Sequence, residues 1–172
     1  MPRLHVCSLA RLHETVAASG ASHVLTLINA TTLVERPAAI EEANHLFVGV
    51  SDIIEPLDGH ILPAAEHVER VLRFVEAWPR RKPLVVHCWA GISRSTAAAF
   101  VAACALAPHR SEAAIAQALR EASPIATPNR RLVAVADEIL GRGGRMVDAV
   151  DRIGRGREAS EGLPFVLPLE EI

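Results

Sequence analysis

The sequence lacks the features that mark membrane-spanning, disulfide-stabilised and metal-binding proteins. Its longest uncharged helical stretch runs only from Ser95 to Pro108, shorter than the roughly 20 residues that a transmembrane helix needs. Its three cysteines cannot all pair and show no CxxC spacing, and its eight histidines include no HExxH motif. We therefore expect no transmembrane segment, no disulfide framework, and neither a metal nor another cofactor.

The chain also carries no strong charge of either sign. Its 18 basic and 20 acidic residues leave a formal net charge of −2, and no basic tract is longer than Arg80–Lys82. This balance creates no field that would attract nucleic acid or anionic lipid. The N-terminus has no long apolar region of the kind found in signal peptides. These absences predict a cytoplasmic protein with no nucleic-acid or membrane partner, and they leave its oligomeric state open.

Apolar residues are plentiful, and their pattern indicates the fold class. Half of the 172 residues are apolar, enough for one domain with a substantial core. Apolar and β-branched runs predict strands over 4–9, 23–29, 45–50 and 83–87. Helical spacing and end signals predict helices over 11–18, 37–43, 63–78, 94–106, 111–122, 128–140 (capped by Thr127) and 146–153. This alternation predicts a single α/β domain with a mostly parallel central sheet flanked by helices on both faces.

Two of these elements stand out, as does the end of the chain. Strand 83–87 is apolar on both faces, which favours a central place in the sheet. Helix 94–106 has no polar face, so we expect it to be buried all round. The domain itself is predicted over residues 1–153. Residues 154–172 are predicted to form an irregular tail that packs on the domain, because the tail contains Gly and Pro together with apolar side chains.

The segment between that strand and that helix is typical of an anion-binding loop. It reads Val86-His87-Cys88-Trp89-Ala90-Gly91-Ile92-Ser93-Arg94-Ser95-Thr96. A helix N-terminus favours anions because of its unpaired backbone N–H groups and its dipole. A loop of this length can wrap its N–H groups around one tetrahedral oxyanion. Gly91 supplies the backbone freedom for the curl, and Arg94 can donate to two of the oxygens.

The same surroundings predict a reactive cysteine. Thiols at helix N-termini beside a cation ionise more readily than a free thiol, so we expect Cys88 to be a thiolate at neutral pH. A thiolate beneath a bound phosphate can attack phosphorus and form a cysteinyl-phosphate. A buried cysteine is often only a small apolar side chain, which is our interpretation of Cys7 and Cys104.

The loop resembles the HCxxGxxRS/T signature of the cysteine-dependent protein tyrosine phosphatase superfamily. The short chain makes it most similar to the small dual-specificity branch. The resemblance implies a protein tyrosine phosphatase-like fold with the catalytic domain over 1–153, and Cys88 as nucleophile. It also implies that Arg94 stabilises the transferring phosphoryl group, Ser95 hydrogen-bonds the leaving thiolate and His87 orders the loop. The amides implied to bind phosphate are those of Trp89, Ala90, Gly91, Ile92, Ser93 and Arg94.

Phosphate ester cleavage also needs a general acid to protonate the leaving oxygen. The resemblance implies an Asp on a loop that follows a strand upstream of the nucleophile. Asp52 fits this position, and Asp58 lies on the same loop with Glu55 between them. We favour Asp52 because a residue at the end of a strand is held more firmly than one at a loop apex.

The sequence departs from parts of the family pattern. It contains no tyrosine, so the tyrosine-bearing recognition loop of tyrosine-specific members is missing. The loop interior has no basic residue, which favours a substrate with one phosphate in the pocket, such as a phosphoprotein. Trp89 and Ile92 offer apolar walls to an aromatic ring. Thr127-Pro128-Asn129 resembles an element that opens a late helix in dual-specificity phosphatases, and we interpret it as structural support.

The resemblance thus implies a phosphoprotein phosphatase that acts on phosphotyrosine, and on phosphoserine or phosphothreonine as a further possibility, through a cysteinyl-phosphate. One alternative is a rhodanese-like sulfurtransferase, which also places a Cys in a loop before a helix. The other alternative is a non-catalytic module that binds phosphoproteins. The positions of Gly91, Arg94 and Ser95 fit phosphatases better than sulfurtransferases, and the intact pair of Cys88 and Arg94 argues against an inactive module.

Overall fold

A five-stranded sheet forms the centre of the molecule. The computed structural model describes residues 2–170. Strands β1 to β5 are Arg3–Cys7, His23–Ile28, His45–Gly49, Leu84–His87 and Phe165–Pro168. They lie in the order β3-β2-β4-β1-β5, in which the first four are parallel and β5 runs antiparallel to β1. The predicted mostly parallel sheet, with the 83–87 strand at its centre, is confirmed.

Helices cover both faces of this sheet, as the alternating pattern predicts. Helices α1 to α6 are Leu12–Ser19, Ala65–Ala77, Arg94–Leu106, Glu112–Ala122, Arg130–Ile139 and Arg145–Ile153. Helix α1 packs on β1 and β4 on one face. On the other face α2 and α3 contact the sheet, and α5 packs against both of them. The single-domain α/β architecture is therefore confirmed.

Side-chain alternation along the strands divides the core between the two faces. Leu25 of β2 and Val86 of β4 lie in the larger cluster, on the side of α3, and Val24 and Val85 lie in the smaller cluster with Leu12 of α1. All five side chains are fully buried. Every residue of α3 from Arg94 to Cys104 is also buried. This helix has no polar face because it is surrounded by other elements of the fold.

The topology brings three loops together at one edge of the sheet. Strands β2, β3 and β4 are parallel neighbours, so the loops that follow their carboxyl ends start side by side. These loops begin at Asn29, Val50 and Cys88. Ligand sites of open parallel sheets lie outside the carboxyl ends of the strands. The candidate loop from the sequence is therefore flanked by the chain that follows β2 and by the chain that carries Asp52.

Two local predictions are wrong. Residues 37–43 do not form a helix; a single turn from Pro37 to Ile40 is followed by a short 3-10 turn at Glu42–Asn44. Ile40 is 1% exposed in the cluster under α1, and so short a segment gains too few hydrogen bonds to offset helix nucleation. Thr127 does not cap helix α5 either. The cap is Asn129, whose Oδ1 accepts from the backbone N–H of Leu132 at 3.0 Å.

The C-terminal residues contain more order than an irregular tail. Phe165–Pro168 form β5, which pairs with β1 at the edge of the sheet. The prediction of irregular structure is therefore wrong for these four residues, because pairing satisfies the exposed edge of β1. Leu167 is fully buried in the main core. Residues 171 and 172 of the predicted tail lie outside the described residues.

Candidate active site

Cys88 lies at the base of the loop that joins β4 to α3. The residue is buried, with 2% of its surface exposed. The backbone N–H of Gly91 donates to Sγ at 3.3 Å, and Ser95 Oγ lies 3.1 Å from the same sulfur. An ionised sulfur can only accept, so the Ser95 hydroxyl then donates to it. The loop thus presents two hydrogen-bond donors to a sulfur anion.

The loop can curl over the sulfur because Gly91 takes a backbone conformation that other residues avoid. Its φ is +73°. A Cβ at this position would lie 2.8 Å from the carbonyl carbon of Cys7 and 2.9 Å from the nitrogen of Ser8. Both atoms belong to the backbone that follows β1, so neither can move out of the way cheaply. The position therefore requires glycine both for its conformation and for its space.

Arg94 begins helix α3 and presents one edge of its guanidinium group. Nη1 donates to Asn29 Oδ1 at 2.7 Å and to the backbone carbonyl of Val50 at 3.0 Å. Nε is buried and has no hydrogen-bond partner among the described residues. Because Nε and Nη2 share one edge of the planar group, fixing Nη1 leaves that edge to form two parallel hydrogen bonds with an oxyanion. The sequence reasoning missed Asn29, although a polar residue directly after a buried strand was a usable signal.

Asp52 lies against the loop, held by two donors. Its Oδ1 accepts from Ser93 Oγ at 2.7 Å and from Asn129 Nδ2 at 2.9 Å. The same Asn129 amide donates to the carbonyl of Ile53 at 3.2 Å, so one residue caps α5 and also fixes the Asp52 loop. The other carboxylate oxygen, Oδ2, forms no hydrogen bond with any of the described residues. Oδ2 is therefore the oxygen of this carboxylate that remains available to a ligand.

The structure separates Asp52 from the other acidic candidates on its loop. Asp52 lines a cavity of about 580 Å³ together with Cys88 and Arg94. Glu55 lines a neighbouring groove instead, and exposed Asp58 lines neither. Of the three acidic residues on this loop, Asp52, Glu55 and Asp58, only Asp52 lines the cavity that contains Cys88.

Trp89 and Ile92 both line the cavity that holds Cys88. Trp89 is 62% exposed, so its indole ring lies at the mouth, whereas Ile92 lies deeper. Apolar walls of this kind suit an aromatic or aliphatic group attached to a phosphate.

His87 is fully buried behind the loop. Its Nδ1 lies 3.1 Å from the carbonyl of Cys88, and its Nε2 lies 2.7 Å from Thr26 Oγ1. Burial lowers the pKa of this imidazole to about 4, so the ring is neutral at neutral pH. The sequence reasoning included His87 but not Thr26, which lies on the neighbouring strand.

The other two cysteines have different surroundings. Cys7 and Cys104 are 1% and 0% exposed. Burial raises the pKa of Cys7 to about 11 and that of Cys104 to about 12. Neither lines the cavity that holds Cys88. Their environment agrees with the interpretation that they are packing side chains.

Residues 155–162, which we call the C-terminal strap, pass along the outside of the loop. At one end the N–H of Gly162 donates to the carbonyl of Ala90 at 2.7 Å. At the other end the N–H of Gly156 donates to Thr127 Oγ1 at 3.0 Å. Thr127 thus anchors the strap instead of capping a helix.

The strap also forms one wall of the cavity. Ala159 and Ser160 line it together with Asp52 and Cys88. Glu161, the next residue, accepts a hydrogen bond from Ser8 Oγ at 2.6 Å. This wall could not be predicted from the sequence, because its residues are mostly polar and exposed and have no periodicity.

Two further properties hold for residues 2–170. They include no helix that is both long and apolar enough to cross a membrane. They also include no group of three or more His, Cys, Asp or Glu side chains arranged to hold a metal ion.

Comparison with known proteins identifies the class of this fold. Residues 58–123 match the family model described as protein-tyrosine phosphatase. The crystal structure of DUSP15 aligns with a TM-score of 0.65 at 17% identity, covering 94% of this chain and 96% of that one. Human DUSP28 aligns at 0.61 and 22% identity, covering 81% and 94%. A putative dual specificity phosphatase from mouse, crystallised with zinc tungstate, aligns at 0.62 and 20% identity, covering 86% of each chain. No curated protein matches this chain.

The fold is that of the protein tyrosine phosphatases, and the matched segment contains the whole loop from Cys88 to Arg94. The predicted protein tyrosine phosphatase-like fold is confirmed, and it is shared with solved dual-specificity phosphatases. The matched segment ends before Asn129 and begins after Asp52. The family match therefore gives no support for a role of Asp52 or Asn129, and only the geometry of the site supports one.

Proposed function

We propose that this protein is a phosphoprotein phosphatase that hydrolyses phosphate monoesters through a cysteinyl-phosphate on Cys88. One observation carries the proposal. Cys88, Arg94 and Asp52 all line the same cavity of about 580 Å³, and Arg94 Nε has no hydrogen-bond partner among the described residues. A nucleophile, an anion clamp and a proton donor are thus brought together where one phosphate ester fits.

In the first step the thiolate of Cys88 attacks phosphorus. A sulfur–phosphorus bond forms as the bond between phosphorus and the ester oxygen breaks. Arg94 donates from Nε and Nη2 to phosphoryl oxygens, and the loop amides donate to the same group. These donors are already fixed by the protein, so they stabilise the charge of the transition state without reorganisation.

Asp52 supplies the proton that the leaving oxygen needs. The proton comes from Oδ2, because Oδ1 is held by Ser93 and Asn129. In the second step a water molecule attacks the cysteinyl-phosphate and gives a proton to the same carboxylate. The sulfur–phosphorus bond then breaks, inorganic phosphate leaves, and the hydroxyl of Ser95 donates to the departing thiolate.

The lining of the cavity favours a substrate with one phosphate. The loop interior carries no basic side chain besides Arg94, so nothing within it complements a second phosphate group. Trp89 at the mouth offers an apolar surface to the side chain that carries the phosphate. These features suit a phosphorylated protein, with phosphotyrosine as the first expectation.

The proposal is tested with an aryl phosphate and three variants. The wild type is expected to release phosphate, and Cys88→Ser is expected to lose at least about 10⁴-fold in kcat. Asp52→Asn is expected to lose about 10²-fold or more. Asp58→Asn is the matched control from the same loop and should keep full activity. A panel of phosphopeptides, with Cys88→Ser as the trap, then identifies the preferred phosphorylated residue.

Each component of the proposal has its own contrary result. Phosphate bound without release from any ester would identify a binding module. Thiocyanate formed from thiosulfate and cyanide, without phosphatase activity, would identify a sulfurtransferase. Full activity in Asp52→Asn together with loss in Asp58→Asn would overturn the assignment of the acid and leave that of the nucleophile intact.

A further inference from the structure

A row of three polar side chains crosses the sheet directly behind the loop. His45 lies on β3, Thr26 on β2 and His87 on β4, so the row spans three neighbouring strands. Thr26 Oγ1 lies 2.8 Å from His45 Nε2 and 2.7 Å from His87 Nε2. Thr26 and His87 are fully buried, and His45 is partly buried. A buried polar row within an apolar sheet is costly unless every member is hydrogen-bonded.

The chemistry of the partners fixes the direction of every hydrogen bond in this row. The carbonyl of Cys88 can only accept, so His87 Nδ1, at 3.1 Å from it, carries the proton. The ring is neutral because burial lowers its pKa to about 4, so Nε2 carries a lone pair. Thr26 therefore donates its one hydroxyl proton to His87. Having done so, its oxygen accepts from the Nε2–H of His45.

The last bond of the row acts on the loop itself. The peptide between Cys88 and Trp89 is planar and trans, so its C=O and N–H groups point in opposite directions. The hydrogen bond from His87 to the carbonyl of Cys88 therefore also sets the direction of the Trp89 N–H. That amide is the first of the loop donors implied for the phosphate. Reversing the tautomer of His87 would place a lone pair against the carbonyl and remove this constraint.

We propose that Thr26, supported by His45, is a positioning residue that fixes His87 as the Nδ1–H tautomer and thereby holds the first peptide of the phosphate-binding loop. Thr26 touches neither the reacting sulfur nor the phosphate, so its effect is transmitted through His87. This inference rests on the proposed phosphatase activity for its functional consequence. Its structural part, the tautomer, stands apart from that activity.

The kinetic test uses a matched pair of variants at Thr26. Thr26→Val keeps the shape of the side chain and removes the hydroxyl, and Thr26→Ser removes a methyl group and keeps the hydroxyl. We expect Thr26→Val to lower kcat for an aryl phosphate about tenfold, as loss of one well-placed buried hydrogen bond would. We expect Thr26→Ser to stay within about twofold of wild type. A merely structural role would lower the thermal stability of both variants and leave the kcat of folded protein equal.

The direct test is the protonation pattern of the imidazoles in two-bond ¹H–¹⁵N spectra. In the wild type we expect a neutral Nδ1–H ring for His87 and a proton on Nε2 of His45. In Thr26→Val we expect the pattern of His87 to change, and in Thr26→Ser to return. An Nε2–H ring for His87 in the wild type would overturn the proposal, as would an unchanged pattern and an unchanged kcat in Thr26→Val. If the wild type hydrolysed no ester, the spectra would still decide the tautomer, so the two failures are distinguishable.

Discussion

The loop of residues 88–93 and the C-terminal strap border the same cavity but are held in different ways. The loop is fixed from inside the sheet, by buried groups such as His87 and the backbone beside Gly91. The strap lies outside, with residues 157–161 exposed, and is held by a few hydrogen bonds near its two ends. The difference teaches that the chemistry of this site is built into the core, whereas its outer shape is added from a distant part of the chain.

Among the variants that test this contrast between loop and strap, Gly91→Ala should have the largest effect. Gly91→Ala adds a Cβ within 2.9 Å of two backbone atoms at a φ of +73°. We expect kcat/KM for an aryl phosphate to fall by at least about 10²-fold, because a displaced loop loses alignment with its substrate. We expect the free energy of unfolding to fall by about 2–4 kcal/mol.

Gly141→Ala is the matched control for this prediction. Gly141 has a φ of +64° but nothing within 4 Å of its Cβ position. It should lose only about 1–2 kcal/mol of stability from the backbone conformation and keep its activity. Equal losses of activity in the two variants would show that the contact behind the loop has no special role.

A smaller loss of activity is expected when the hydrogen bond between Asn129 and Asp52 is removed. Asn129→Ser keeps a good helix cap but removes the amide that donates to Asp52. We expect kcat to fall about tenfold for an alkyl phosphate, whose poor leaving group needs a proton, and less for an aryl phosphate with a good one. Comparing the two esters measures the effect, and an equal fall for both would contradict a role through Asp52.

The buried His87 behind the loop should make the stability of the protein depend on pH. The pKa of His87 falls from an ordinary 6.5 to about 4 because of burial. Between these values the unfolded chain binds a proton that the folded chain does not, so the stabilisation is complete above pH 6.5 and is lost as the pH falls toward 4. We expect this group to contribute about 3 kcal/mol of that loss. Denaturant unfolding across this range should give a shallower fall for His87→Gln than for wild type.

The exposed His60 provides the control for the pH experiment. His60→Gln should follow the pH dependence of the wild type. Burial also lowers the pKa of His5, His23, His45 and His67, so part of the fall remains in His87→Gln. An unchanged slope in His87→Gln would contradict the assignment.

The smallest effect on activity is expected from a substitution in the C-terminal strap. Gly162→Ala places a Cβ 2.9 Å from the carbonyl oxygen of Gly91, which pushes the strap outward. Since the strap supplies a wall and no reacting group, we expect KM to rise about threefold with kcat nearly unchanged. A loss of kcat as large as that of Gly91→Ala would mean that the strap belongs to the catalytic core.

The same contrast explains what the sequence predicts and what it does not. The strand, loop and helix around Cys88 are contiguous, and the predicted bounds of α3 match the observed Arg94–Leu106. Gly91, Arg94 and Ser95 were found because they lie within that short segment. Asp52 was favoured by its place at the end of a strand, and the structure puts it, alone of the three carboxylates, in the cavity of Cys88.

The missed residues act over long separations in the chain. Asn29 is 65 residues from Arg94, and Thr26 is 61 residues from His87. Such pairs depend on the order and register of the strands, which periodicity does not determine. The helix predicted over 37–43 failed for a related reason, because the burial of Ile40 under α1 decides the local conformation.

The central claim of the proposed function is that Cys88 is the reactive nucleophile of the phosphate-binding loop. The most direct measurement is the rate of iodoacetate alkylation of Cys88 between pH 5 and 9, with and without tungstate, followed by mass spectrometry and referenced to glutathione. The account predicts that Cys88 is labelled faster than glutathione, that tungstate protects it, and that Cys7 and Cys104 are not labelled in the folded protein. Labelling of Cys88 that is no faster than that of glutathione, and that tungstate does not slow, would contradict it.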